Sequence, residues 1–214
     1  MVIFDQIVKK AKGENKNILV IGAPRSGTHA VGAELANLTN AKYLREICRT
    51  SDNPTPWHEI KNLYSTETLT VAQIVQLTPK IHLAKDVQQI KDHAVIVNVR
   101  RKNKIKQFAS WMYFRVNDTT ELHGWHNHKV GNTRIAPHSL QVQEQDLTQF
   151  MLEQLIDDYF LPDFNLCYED LTFTQKMYEK NQFSYPIENI FTNLDFVENF
   201  LKDWSYSSQH FSNE

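Results

Sequence analysis

Nowhere in this 214-residue chain do ~18 apolar residues follow one another, so no segment is expected to span a membrane. An excess of charge is missing too. The formal net charge is -2, so the molecule as a whole is no polyanion binder, nucleic acid is not an expected partner, and any anion site must be local. Cysteine is scarce: Cys48 and Cys167 stand far apart without metal-ligand spacing. They read as reduced, partly buried thiols of a reducing compartment. The opening MVIFDQIVKKAKGENKN lacks the apolar core and cleavage site of a signal peptide and reads as an amphipathic helix with a polar turn. What is left is a globular, cytoplasmic chain, long enough for a real core and sized for one domain.

Strand and helix patterns alternate along it. Asn17–Ile21 is a short apolar run of the kind that forms a buried parallel strand, and residues 28–38 are good helix material. Residues 42–47 suit a second strand, 68–77 a helix, 79–83 a third strand and 87–91 a helical turn. Residues 94–99 (AVIVNV) form the clearest strand after the first, and 103–114 carry a one-faced helical pattern. A long amphipathic helix is expected over 143–160, a short strand over 165–168 and a terminal helix over 194–204, with the last ten residues fraying. Residues 119–137 have no periodicity and are rich in His, Asn and Gly; a segment this long without a pattern is functional or mobile. Strands separated by helices predict a three-layer α/β/α fold with a central, mostly parallel sheet and right-handed crossovers. Ligands of such sheets lie at the carboxyl ends of the strands.

The first strand runs into Gly22-Ala23-Pro24-Arg25-Ser26-Gly27 and then a helix starting at Thr28. Converging backbone N–H groups and the helix dipole make this an anion cradle, with Arg25 as fixed charge and Ser26 and Thr28 as hydroxyl donors. The two glycines are spaced as in a nucleotide-hydrolase loop, G-x-x-x-x-G-K-[ST]. Thr28, however, stands where the lysine belongs, and His29 where the Mg²⁺-binding hydroxyl belongs. The strand over 94–99 runs into Arg100 and Arg101 rather than a metal-binding acid, so the bound anion is expected to need no metal.

PRSGT after a short strand resembles the 5′-phosphosulfate loop of sulfotransferases that use 3′-phosphoadenosine 5′-phosphosulfate (PAPS). Three later segments follow in that family's order. Lys80-Ile81-His82-Leu83 is similar to the segment whose histidine acts as general base, a role that suits imidazole near neutral pH. VNVRRKNKIKQFASW is similar to the 3′-phosphate site, where an arginine and a serine hold the phosphate. Ser110 is the matching serine. Arg101 is closer to the expected spacing and Arg100 directly follows the strand; since adjacent strand residues point opposite ways, one of the two is expected to make the contact. Tyr168-Glu169-Asp170-Leu171 resembles the segment whose tyrosine lies near the adenine, and Tyr168 equally suits a strand-end core aromatic.

The resemblance implies a P-loop nucleotide-binding type of fold, PAPS as donor and PAP as product, and no metal. It implies transfer of a sulfuryl group to a hydroxyl or amine of a small-molecule, glycan or peptide acceptor in a bacterial or viral-host cytosol. His82, Arg25 and Lys80 would be catalytic. Residues 23–29, with Arg100 or Arg101, Ser110 and Tyr168, would bind the cofactor. His29 departs from the family's second hydroxyl, Ala30 and Val31 from its aromatic residue, and the basic, glycine-containing C-terminal segment is not visible. A kinase using ATP and a non-catalytic nucleotide-binding domain are the rival readings. His123, His126 and His128 with Trp125 read as an exposed loop, a lid over the acceptor, or a metal cluster short of ligands.

Overall fold

In the computed structural model, residues 2–46, 69–74, 84–118, 140–154, 160–174 and 190–210 are described. The chain divides into two compact units, Met1–Lys102 with Glu153–Gln182, and Asn103–Leu152 with Phe183–Glu214.

The first unit is an α/β structure built on a five-stranded, all-parallel sheet. Its strands are β1 (Asn17–Ile21), β2 (Lys42–Glu46), β3 (Thr70–Ile74), β4 (Ala94–Arg100) and β5 (Phe164–Cys167), in the order β2-β3-β1-β4-β5. β1 sits in the middle, buried along its whole length because both of its faces are covered. Ile18 and Val20 join Val71, Val95, Val97 and Val99 on one face, under helices α1 (Val2–Glu14) and α2 (Thr28–Thr39). Leu19 and Ile21 join Ala72, Ile74 and Ile96 on the other, with Ile90 of α3 (Ala84–His93) and Phe160. The connection from β1 to β2 passes β3 on the first face, and the one from β3 to β4 passes β1 in the opposite direction on the second. Opposite directions over opposite faces give the two crossovers one hand, as the twist of parallel strands demands.

Polar side chains pin the strand starts. Asn17, 3% exposed, accepts the Thr70 N–H through Oδ1 at 2.8 Å, and Asp163 takes the Ile96 N–H at 2.8 Å while its own N–H donates to the Ile96 carbonyl at 2.9 Å. Removing the Asn17 acceptor strands a buried donor, so Asn17→Ala is expected to cost about 1–3 kcal/mol in urea denaturation.

The second unit contains α4 (Lys104–Asp118), α5 (Glu144–Glu153) and α6 (Leu194–His210). Its core is aromatic: Phe108 meets Phe150 edge-on at 5.2 Å and stacks on Trp111 at 5.8 Å, with Phe191 at 5.6 Å. Asn193 clamps Val142 from both sides, accepting its N–H and donating to its carbonyl.

Several expected elements differ. The helix expected over 68–77 is strand β3 at Thr70–Ile74, whose β-branched residues fill a slot between β1 and β2. The strand expected over 79–83 lies outside the described residues. The turn over 87–91 is a full helix from Ala84, and the long helix over 143–160 stops at Glu153, with Gln154 in a turn. The last helix continues beyond 204 to His210. Among the described residues no helix is long and apolar enough to cross a membrane.

Candidate functional site

Every residue brought together at the site belongs to the first unit, most of them at the carboxyl ends of β1, β3, β4 and β5, with Tyr43 from β2. The loop between β1 and α2 turns back on itself, with the Ser26 N–H donating to the Ala23 carbonyl at 3.1 Å. That bond takes Ser26's backbone donor out of the expected cradle. Gly27 and Thr28 keep N–H groups with no hydrogen-bond partner among the described residues. They head helix α2, whose first carbonyl acceptor is Gly27, bonded by the Val31 N–H at 3.2 Å. Ala23, Pro24, Ser26 and Thr28 are buried, and Ser26 is only 1% exposed. Its Oγ is nevertheless without a hydrogen-bond partner. A buried hydroxyl at the mouth of a helix, with nothing to bond, is suited to a ligand oxygen.

Close packing sets the loop's shape. A Cβ on Gly22 would lie 2.5 Å from the Val99 carbonyl of β4 and 2.6 Å from Ser26 Oγ, so only glycine lets the loop fold against the neighbouring strand. Arg25 has φ 65°, a left-handed conformation uncommon for a non-glycine residue and one that clusters at functional sites. Gly27 has φ 104° and lies directly under the ring of Tyr168.

Tyr168 opens a single 3₁₀ turn (Tyr168–Asp170) after β5. Its ring touches Phe173 at 5.6 Å and carries Arg101, whose guanidinium carbon is 4.7 Å from the ring centre. The turn is tied to the end of β4, because Glu169 accepts the Lys102 N–H at 3.1 Å. Arg101 Nε is buried without a hydrogen-bond partner. This separates the two candidate arginines: Arg100 ends β4 exposed, and Arg101 is the one laid over Tyr168.

Arg25 feels the charge of Arg101. Burial pushes the Arg25 guanidinium below its ordinary value, and the positive charge of Arg101 pushes the same way. Burial also lowers Arg101, against the opposing influence of Tyr168 and Glu169. The Tyr168 phenol is raised by burial, with Arg101 pulling it down. Partial burial makes each guanidinium less comfortable, Arg25 also through the charge of Arg101, and an anion placed beside it relieves that cost.

His29 is half-buried on the first turn of α2. Its Nδ1 is 3.0 Å from the Tyr43 hydroxyl, which is also 2.9 Å from Gln73 Oε1 of β3 and 3.2 Å from the His29 carbonyl. Sequence reading missed Tyr43 and Gln73. Their only signal is polarity: Gln73 stands between Ala72 and Ile74 in β3 and is 2% exposed. Ser110 is buried on α4 in the second unit. Lys80 and His82 lie outside the described residues, as do His123, His126 and His128. No protein-family model matches the chain, and neither a curated protein nor a solved structure matches it significantly.

Proposed function

We propose that the chain is a PAPS-dependent sulfotransferase of the P-loop nucleotide-binding type. The observation that carries this reading is a set of half-buried cationic and buried hydroxyl donors around one loop. Ser26 Oγ and Arg101 Nε have no partner, and Arg25 lies within reach of the Arg101 charge. Such a set fits an anionic ligand and needs no metal. When bound, PAPS supplies the sulfuryl group. Arg25 and the N–H groups of Gly27 and Thr28 hold the 5′ phosphosulfate end and meet the charge that develops there. Arg101 holds the 3′-phosphate. Tyr168 positions Arg101. His82 takes the proton of the acceptor hydroxyl or amine, and Lys80 lies near the sulfonate. The acceptor is a small molecule, glycan or peptide.

Calorimetry with PAP, ATP and Mg²⁺-ATP, followed by turnover of labelled PAPS against a panel of acceptors, tests the reading. The expected result is PAP binding that Mg²⁺ does not change, together with label transfer. Preference for Mg²⁺-ATP would point to a kinase, and PAP binding without turnover to a non-catalytic domain. His82→Ala is expected to abolish transfer and leave PAP affinity nearly intact; equal loss of both would remove the histidine from the role of base.

A further inference from the structure

Arg101 and Tyr168 are the first residues after β4 and β5. The two strands run parallel with Arg100 opposite Cys167, so the guanidinium and the ring that carries it lie one step beyond the last paired residues. The 3₁₀ turn supplies further contacts at that point. Glu169 accepts the Lys102 N–H through Oε2 at 3.1 Å, and the same oxygen takes the Cys167 thiol hydrogen, with Sγ at 3.4 Å. Asp170 takes the Lys102 ammonium at 2.6 Å. Three consecutive residues of the turn therefore grip two consecutive residues after β4. Tyr168 holds the Arg101 side chain, Glu169 the next backbone N–H, and Asp170 the next side chain.

These contacts differ in what they fix. The Asp170–Lys102 pair is exposed and joins the turn through a long, flexible side chain, so it constrains the backbone little. The Glu169 bond goes to the backbone itself. It fixes the chain immediately after Arg101, and with it the direction in which the Arg101 side chain leaves. The Tyr168 ring attracts the guanidinium over its face but leaves it room to slide. Glu169 also acts on Arg101 through space. Burial lowers the Arg101 guanidinium, and Tyr168 and then Glu169 work against that. A carboxylate close enough to favour the charged arginine also competes with any anion the arginine is to meet.

We propose that Glu169 is a positioning residue for Arg101: its carboxylate holds the backbone beside Arg101 so that the guanidinium stays over Tyr168, and its charge restrains the affinity of Arg101 for anions. The proposal rests on the reading of this loop as an anion site and not on the identity of the group transferred. On the sulfotransferase reading, Glu169 sets how tightly the 3′-phosphate is held, and so how readily PAP leaves after transfer.

Two neutral variants of similar length separate the two effects. Glu169→Gln keeps an acceptor for the Lys102 N–H and loses the charge, and Glu169→Met loses both. Glu169 is exposed, so water replaces the lost acceptor and both variants are expected to keep the wild-type urea midpoint. Glu169→Ala takes the place of Glu169→Met should the latter fold poorly. The first measurement uses the full chain without ligand. The Arg101 Nε–H NMR signal, assigned by its loss in Arg101→Lys, is expected to be displaced by the Tyr168 ring in the wild type, a displacement that Tyr168→Leu removes. The displacement is expected to persist in Glu169→Gln and to disappear in Glu169→Met. Persistence in Glu169→Met, or loss in Glu169→Gln as well, overturns the positioning role whatever the chain binds. The second measurement titrates inorganic sulfate at neutral pH. Glu169→Gln is expected to bind it about two- to fivefold tighter than the wild type. Glu169→Met is expected to bind it about threefold weaker than Glu169→Gln. With Arg101→Ala added, the two variants are expected to bind alike. Equal sulfate affinities in the wild type and Glu169→Gln, or no sulfate binding at all, overturn the restraint. A difference between Glu169→Gln and Glu169→Met that survives without Arg101 overturns the route through it. Neither measurement involves PAPS turnover, so a chain that transfers no sulfuryl group leaves both results standing.

Discussion

Gly27→Ala is expected to destabilise the first unit by about 2–3 kcal/mol and to reduce anion binding at the same time. Two costs coincide at this position. The backbone has φ 104°, where an alanine is strained wherever it sits. The added methyl group would also run into the Tyr168 ring, the plate on which Arg101 rests 4.7 Å from the ring centre. Moving that ring moves Arg101, so a residue with no functional group of its own controls a cation several residues away in space.

The two costs can be separated. Tyr168→Ala alone loses ring packing on Phe173 and the cation–π contact. In the double variant Gly27→Ala/Tyr168→Ala the methyl group no longer meets a ring, and only the backbone strain is left. Its loss of stability in urea denaturation should therefore fall short of the sum of the two single losses by more than about 0.5 kcal/mol. Strict additivity would show that the ring does not confine Gly27, and the account of how Arg101 is placed would fail with it.

The part of the site read from sequence is the part encoded by contiguous residues. Residues 17–28 state their structure plainly: a strand apolar after its first residue, a glycine-bracketed turn and a helix start. AVIVNV is equally direct, being too short for a helix of that character and rich in β-branched residues. The segment 68–77 misreads as a helix, and Thr70–Ile74 is a strand because it lies between β1 and β2. The choice between Arg100 and Arg101 turned on where β4 ends and which side chain folds back over Tyr168, a one-residue difference that spacing does not resolve. Tyr43 and Gln73 left no motif, since each contributes one polar atom from a different strand. Their meeting with His29 exists only once β2 and β3 are parallel neighbours.

Arg25→Asn is expected to have opposite effects on the free and the ligand-bound protein. Asparagine tolerates the left-handed backbone at this position, so the substitution removes the charge with little added strain. In the free protein the Arg25 guanidinium is desolvated and repelled by Arg101, both of which disfavour its charged form. A substitution reads this destabilisation directly. Free Arg25→Asn should be at least as stable as the wild type in urea denaturation. With PAP the order reverses. Losing a charge-assisted pair of hydrogen bonds weakens an anion by about 1.5–3 kcal/mol, roughly 10- to 150-fold in affinity by calorimetry. The wild type should gain about 2.7 kcal/mol of stability at a PAP concentration 100 times its Kd, and the variant far less at that same concentration. Arg25→Lys restores charge without the two-pronged geometry and should fall between the two. A variant less stable when free, yet unaltered in PAP affinity, would make Arg25 a structural residue of the turn and leave the anion to other groups.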